Sequence, residues 1–76
     1  MAADFDRAAA LALIEGANAG NRRSAEAATG YRWGEPRLRT EMERILEDAE
    51  DRDQPRVAQL ARRFLRRASE LEAEDG

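Results

Sequence analysis

"PRVAQLARRFLRRASEL", residues 55–71, is the stretch that decides the fold, because its apolar residues recur at the spacing of one helical face. Pro55 suits the first turn of a helix, and Asp53 is the predicted N-cap. The apolar seam runs through five positions, Val57, Ala61, Phe64, Ala68 and Leu71. Two heptads are too few for a free-standing coiled coil, so this helix, predicted over 54–72, packs against another helix or against its own copy.

The preceding segment supplies a partner helix. From Pro36 to about Asp51, apolar residues recur at helical spacing, namely at Leu38, Met42, Ile45 and Ala49. Only the short connection "DRDQP" separates this helix from the next one. We therefore predict an antiparallel hairpin of helices 36–51 and 54–72, followed by an acidic tail, 73–76, that frays because it has no apolar anchor.

The charges of the two hairpin helices are opposite. Residues 41–53 carry seven acids and two arginines, whereas residues 54–69 carry five arginines and no acid. One interpretation is internal neutralisation, in which acids of one helix face arginines of the other: Glu43, Glu47, Glu50 and Asp51 against Arg56, Arg63 and Arg67. The other interpretation reserves the basic stripe of the last helix for an acidic or nucleic-acid partner.

Two more helices are predicted before the hairpin. The first spans about residues 4–19 and stops before Gly20, and the second is a short alanine-rich helix over about 22–29 that ends at Gly30. The chain is therefore predicted to be one all-α domain over residues 1–76. Its architecture is a small bundle of three to four helices, the last two forming the hairpin.

Composition predicts a thin core. Half of the hydrophobic residues are alanine, so few side chains can bury a large apolar area. A core of this size contributes little net stability to a chain of 76 residues. We therefore predict a homodimer through the first or fourth helix, with the seam Val57, Ala61, Phe64, Ala68 and Leu71 as the candidate oligomer interface.

The residue types that are missing exclude most catalytic chemistry. The chain contains no cysteine, histidine or lysine, so disulfides, thiolate or imidazole metal sites and the usual nucleophile–base pairs cannot be assembled. We predict no enzyme activity, no catalytic residue, no metal, no cofactor and no small-molecule substrate. The lack of cysteine, and of an apolar run long enough to span a bilayer, predicts a cytoplasmic protein without a membrane partner.

"TGYRWGEPRLR", residues 29–39, combines the only tyrosine and the only tryptophan with three arginines in one turn. One interpretation makes Trp33 a lid that covers the core. The other makes the turn an interface hot spot, because Trp, Tyr and Arg dominate such sites. The two are compatible if Trp33 anchors the turn while Tyr31 and Arg32 project. The predicted partner-binding residues are Tyr31, Arg32, Trp33, Arg37 and Arg39.

A longer segment around this turn, "NRRSAEAATGYRWGEPRLRTEMERIL", residues 21–46, resembles the helix-turn-helix of phage small terminase subunits. In that family a short helix that starts at an asparagine ends in an Ala-Gly-Tyr type of turn before a longer helix. The resemblance implies a DNA-binding or DNA-packaging protein. It places four arginines on phosphates and base edges: Arg22, Arg23, Arg37 and Arg39.

The main hypothesis from the sequence is a non-catalytic helical protein-interaction module that binds a protein or nucleoprotein complex. In size, charge density and lack of catalytic residues the chain resembles small phage-encoded inhibitors, anti-CRISPR proteins among them. Such a protein acts by occupying a surface on a larger assembly. The alternative is the DNA-binding helix-turn-helix protein, and the two differ in whether duplex DNA binds with a steep salt dependence.

Overall fold

The computed structural model describes residues 2–75, and within that range every regular element is helical. The elements are α1 (Ala2–Asn18), α2 (Arg22–Thr29), a 3₁₀ turn (Pro36–Leu38), α3 (Arg39–Asp51) and α4 (Pro55–Asp75). The predicted all-α bundle is confirmed, with α3 and α4 packed together as the antiparallel hairpin.

The ends of the elements differ from the predictions at the hairpin. The helix expected from Pro36 begins as a 3₁₀ turn, and α-helical hydrogen bonding starts at Arg39. Asp53 is not the N-cap of α4: it lies in the connection with a φ of +55°, and the N–H of Ala58 donates to the carbonyl of Gln54 at 3.0 Å. The tail expected to fray from residue 73 is helical to Asp75, and residue 76 lies outside the described residues.

One core joins three of the helices and the 3₁₀ turn. Its largest fully buried side chains are Leu13 from α1, Leu38 from the 3₁₀ turn, Met42 from α3 and Phe64 from α4. Alanines fill much of the space between them, which lets the helix backbones approach closely. The thin core expected from the composition is therefore what holds these elements together.

The predicted seam of α4 lies inside this core. Phe64 and the two alanines of the seam are fully buried, Leu71 is nearly so, and Val57 is half-buried. These side chains already pack within their own chain, so a dimer through the seam would require α4 to leave its core. Of the candidate interface, Ala61, Phe64, Ala68 and Leu71 are thus not exposed to a second copy in this fold, and Val57 is only partly exposed. The homodimer itself stays a prediction.

None of the helices in the described part of the chain combines the length and the apolar character that a bilayer-spanning segment needs.

Candidate functional site

The turn after α2 leaves the helix in a direction set by local hydrogen bonds. Gly30 has a φ of +78°, in the left-handed region that glycine adopts without strain, and its N–H donates to the carbonyl of Glu26 at 2.9 Å. The hydroxyl of Thr29 donates to the carbonyl of Ala25 at 2.8 Å and accepts the N–H of Tyr31 at 3.2 Å. The two aromatic residues that follow therefore start from a fixed backbone.

Trp33 anchors the turn to the bundle. Its backbone N–H donates to Oε2 of Glu26 at 2.7 Å. Its ring meets the ring of Phe64 edge-on, with the centroids 5.0 Å apart. The guanidinium of Arg22 lies over the indole at 5.5 Å from the ring centroid, within the range of a cation–π interaction. The indole is half-buried, so it covers the core, as the lid interpretation expects, and still reaches the surface.

Gly34 brings this turn into direct contact with α4. The residue is buried and has a φ of +87°, and a Cβ atom built on it would lie 2.7 Å from Cβ of Arg67. It would come even closer to Cγ of the same arginine. Because any side chain would collide with α4, the close approach that seats Trp33 beside this helix depends on glycine.

A groove lies between α2 and α4, because α2 packs on α1 and makes no close backbone contact with α4. Two adjoining cavities, of about 480 and 320 Å³, form it and share Arg22 and Trp33. We call it the arginine groove. Its walls carry six arginines, Arg22, Arg23, Arg32, Arg56, Arg63 and Arg67. Its apolar lining includes Trp33, Leu60 and Leu71, and Glu26 is the only acid among the described residues that line it.

The arginine groove carries more positive than negative charge, because four of its six arginines have no acidic partner among the described residues. The one acid in the groove, Glu26, accepts the N–H of Trp33. Among the described residues Arg56 bonds to neutral groups, an asparagine oxygen at 3.2 Å and a glutamine oxygen at 3.0 Å. In the described range, three further arginines of the groove have no acid within ion-pair distance: Arg22, Arg23 and Arg63. An anionic group that enters the groove therefore finds guanidinium groups without an acidic partner on its walls.

Internal neutralisation across the hairpin is smaller than the first interpretation of the sequence expects. Two ion pairs join α3 and α4 in the described residues: Glu50 with Arg62 at 2.8 Å, and Arg39 with Glu72. Neither arginine was among the predicted partners. Arg63 lies one residue beyond Arg62 along α4, which rotates it by about 100° around the helix. It consequently faces the arginine groove instead of α3. This geometry favours the second interpretation, a basic stripe available to a partner.

Tyr31 contacts α1 instead of projecting as predicted, and Arg37 lies near the same helix. The hydroxyl of Tyr31 donates to Oδ1 of Asp6 at 2.8 Å, and its ring lies 6.0 Å from that of Phe5. The hydrogen bond to Asp6, followed by burial, raises the pKa of Tyr31 above its ordinary value of 10.0. Arg37 pairs with the other oxygen of Asp6 at 3.8 Å. These contacts fasten the turn to the first helix.

The remaining predicted partner-binding residues occupy two other surroundings. Arg39 donates to Glu72 at 2.9 Å and to the hydroxyl of Ser69 at 3.2 Å, near the C-terminal end of α4. Arg32 lines the arginine groove with Trp33 and pairs with Glu35 at 3.2 Å. The five predicted residues thus do not form one surface. Sequence reasoning missed the α4 arginines as neighbours of Trp33, although the net charge of residues 54–69 was a signal for them.

The helix-turn-helix interpretation meets two structural differences. Residues 30–35 and a 3₁₀ turn separate α2 from α3, whereas the helix-turn-helix uses a turn of about three or four residues. The four arginines implied by the resemblance also divide into two sets. Arg22 and Arg23 line the arginine groove, while Arg37 and Arg39 pair with acids of the same chain.

Comparisons with known proteins do not indicate what the groove binds. The chain matches no protein-family model, no curated protein and no solved structure. In the part of the chain that the structure describes, the carboxylates do not gather into a group of three that could hold a metal ion. The groups that define the groove are therefore its guanidinium groups and one indole.

Proposed function

We propose that the chain is a non-catalytic protein-interaction module that binds an acidic segment of a partner protein in the arginine groove. The observation that supports this most strongly is the set of six arginines around Trp33, with a single acid that is already hydrogen-bonded. Guanidinium groups bind carboxylates through paired hydrogen bonds, and a half-buried indole offers an apolar platform between them.

A short acidic peptide fits the surroundings of the groove better than a long nucleic-acid backbone. Two of its arginines already pair with glutamates, Arg32 with Glu35 and Arg67 with Glu70. A phosphate backbone that continues beyond the groove would meet these carboxylates and a chain whose net charge is −3. A segment with a few carboxylates needs only the groove itself.

Such a module acts by occupying a surface of a larger protein or nucleoprotein assembly. That mode of action is the one expected of a small inhibitor. A phage origin and an anti-CRISPR-like target remain predictions from the likeness in size and charge.

The fluorescence of Trp33 tests the proposal, because it is the only tryptophan of the chain and it lines the groove. Titration with an oligo-glutamate peptide is expected to give a saturable change in emission. Arg63→Glu should weaken this binding by about tenfold or more, since it places a negative charge in the groove. Arg66→Glu is the matched control, because this arginine is exposed on α4 and does not line the groove.

Two results would reject the proposal: emission that does not respond to the peptide, or equal weakening by both substitutions while circular dichroism shows intact helices. A parallel titration with a DNA duplex decides the alternative function. The observation that favours DNA is the position of Arg22 and Arg23, which have no acidic partner among the described residues. Duplex binding that is tighter than peptide binding and falls steeply with salt would support the DNA-binding protein instead.

A further inference from the structure

A second groove, between α1 and α3, is apolar inside and shares no lining residue with the arginine groove. It has a volume of about 190 Å³ and is lined by Leu11, Ile14, Ile45 and Val57. Leu11 is 41% exposed, although it is one of the few large apolar side chains of the molecule. We call this surface the α1–α3 groove. The exposed Leu11 at its edge leaves the apolar lining of this groove open to solvent.

Charged residues of both signs surround the α1–α3 groove. Asp48 on its α3 side pairs with Arg52; the other four charged residues are Arg7 and Glu15 on the α1 side and Glu41 and Arg44 on the α3 side. Within the described range, none of these four side chains forms an ion pair. A partner of one charge sign would leave half of them facing a like charge. A partner whose own charges alternate in the same way would satisfy all of them.

The order of these residues along α1 is symmetric about Leu11. Arg7 precedes Leu11 by four residues and Glu15 follows it by four, so all three lie along one face of the helix. If two such helices cross antiparallel at Leu11, each Arg7 comes opposite the Glu15 of the other copy. Ala8 and Ala12 lie beside Leu11 on the helix and carry only small side chains.

We propose that the α1–α3 groove receives a second copy of this chain. The two α1 helices cross antiparallel about a two-fold axis at Leu11, and the Leu11 of each copy enters the groove of the other. A two-fold interface must be self-complementary, with residue i meeting j and j meeting i. The pair Arg7 and Glu15 meets that condition, whereas a purely acidic or purely basic partner does not match the rim.

A charge swap tests this arrangement, with sedimentation equilibrium as the measurement. The unaltered chain is expected to reach a mass twice its 8.5 kDa as its concentration rises. Arg7→Glu and Glu15→Arg should each weaken the association by about tenfold, because each creates two like-charge contacts across the axis. The double variant Arg7→Glu, Glu15→Arg restores opposite charges, and its association should return to within about threefold of the original.

Arg66→Glu is the matched control, since it reverses the same charge at an exposed position outside the α1–α3 groove, and it should leave the association unchanged. Recovery in the double variant would show that the single variants had not simply misfolded. A chain that remains monomeric at millimolar concentration overturns the proposal. So does weakening in the single variants that the double variant does not recover. Because the two grooves share no residue, peptide binding in the arginine groove is unaffected by either outcome.

Discussion

Gly34 lies buried against α4 with a φ of +87°, where a Cβ atom would sit 2.7 Å from Cβ of Arg67. Gly34→Ala is expected to lower the free energy of unfolding by about 2–4 kcal/mol, since it adds a steric collision to the cost of a left-handed backbone. Chemical denaturation followed by circular dichroism measures this loss. The same substitution should shift the emission maximum of Trp33, because the turn must move away from α4.

Gly20 is the matched control for the backbone contribution alone. Its φ is +75°, but a Cβ atom there would meet nothing within 4 Å. Gly20→Ala should therefore lower the free energy of unfolding by only about 1 kcal/mol and leave the emission unchanged. Equal losses at the two glycines would mean that the contact with Arg67 does not restrict the turn.

At the scale of elements, the hydrogen bond from Tyr31 to Asp6 ties α1 to the turn, and it makes this connection sensitive to high pH. The pKa of Tyr31 is raised above 10.0 in the folded chain, chiefly by that bond. Since the folded-state pKa exceeds the unfolded value, the contribution to stability is complete below the unfolded pKa and is lost as the pH rises through the folded one. Asp6→Ala should return the pKa toward 10.0, as measured by tyrosinate absorbance.

The tyrosinate absorbance reports the pKa of Tyr31 alone, because the chain has one tyrosine. Asp4→Ala serves as the control: it removes an acid from the same turn of α1, but Asp4 does not contribute to the pKa of Tyr31. An unchanged pKa in Asp6→Ala, or an equal decrease in both variants, would contradict the assigned contact.

The helices themselves follow from local rules that a sequence displays. The end of α2 at Gly30 requires only a residue that tolerates positive φ. The buried seam of α4 through Phe64 requires only apolar residues at helical spacing. The rotation of α4 relative to its neighbours is not local. Arg62 and Arg63 are adjacent and chemically identical, yet one pairs with α3 and the other lines the arginine groove. Their difference depends on how the whole core packs, so spacing alone cannot predict it.

The site was predictable only in part for the same reason. Trp33 could be identified from its residue type and its position in a glycine-bounded turn. Its contact with α4 depends on Gly34 lying against Arg67, two residues that are far apart in the sequence. Tyr31 was expected to project, but the acid that holds it, Asp6, belongs to α1. Contacts between distant segments thus decided which residues of the turn remain available.

The molecule as a whole combines a thin core with two separate grooves. The two grooves present different surfaces to partners. The fully buried set is small and rich in alanine, so little apolar area supports the isolated chain. The arginine groove is basic and suits an acidic segment, whereas the α1–α3 groove is apolar with charges of both signs. Association through the second groove would add buried apolar area without blocking the first.

If a second copy stabilises the fold in this way, thermal stability must depend on protein concentration. A hundredfold increase in concentration should raise the melting temperature by about 5 °C, because folded dimers are favoured by mass action. Leu11→Ser should abolish this dependence, since Leu11 lines the α1–α3 groove. Phe5→Ser is the control: Phe5 is 54% exposed and packs near Tyr31, outside that groove, so the variant should melt lower but keep the dependence. A melting temperature independent of concentration in the unaltered chain would show that the thin core stabilises the fold without a second copy.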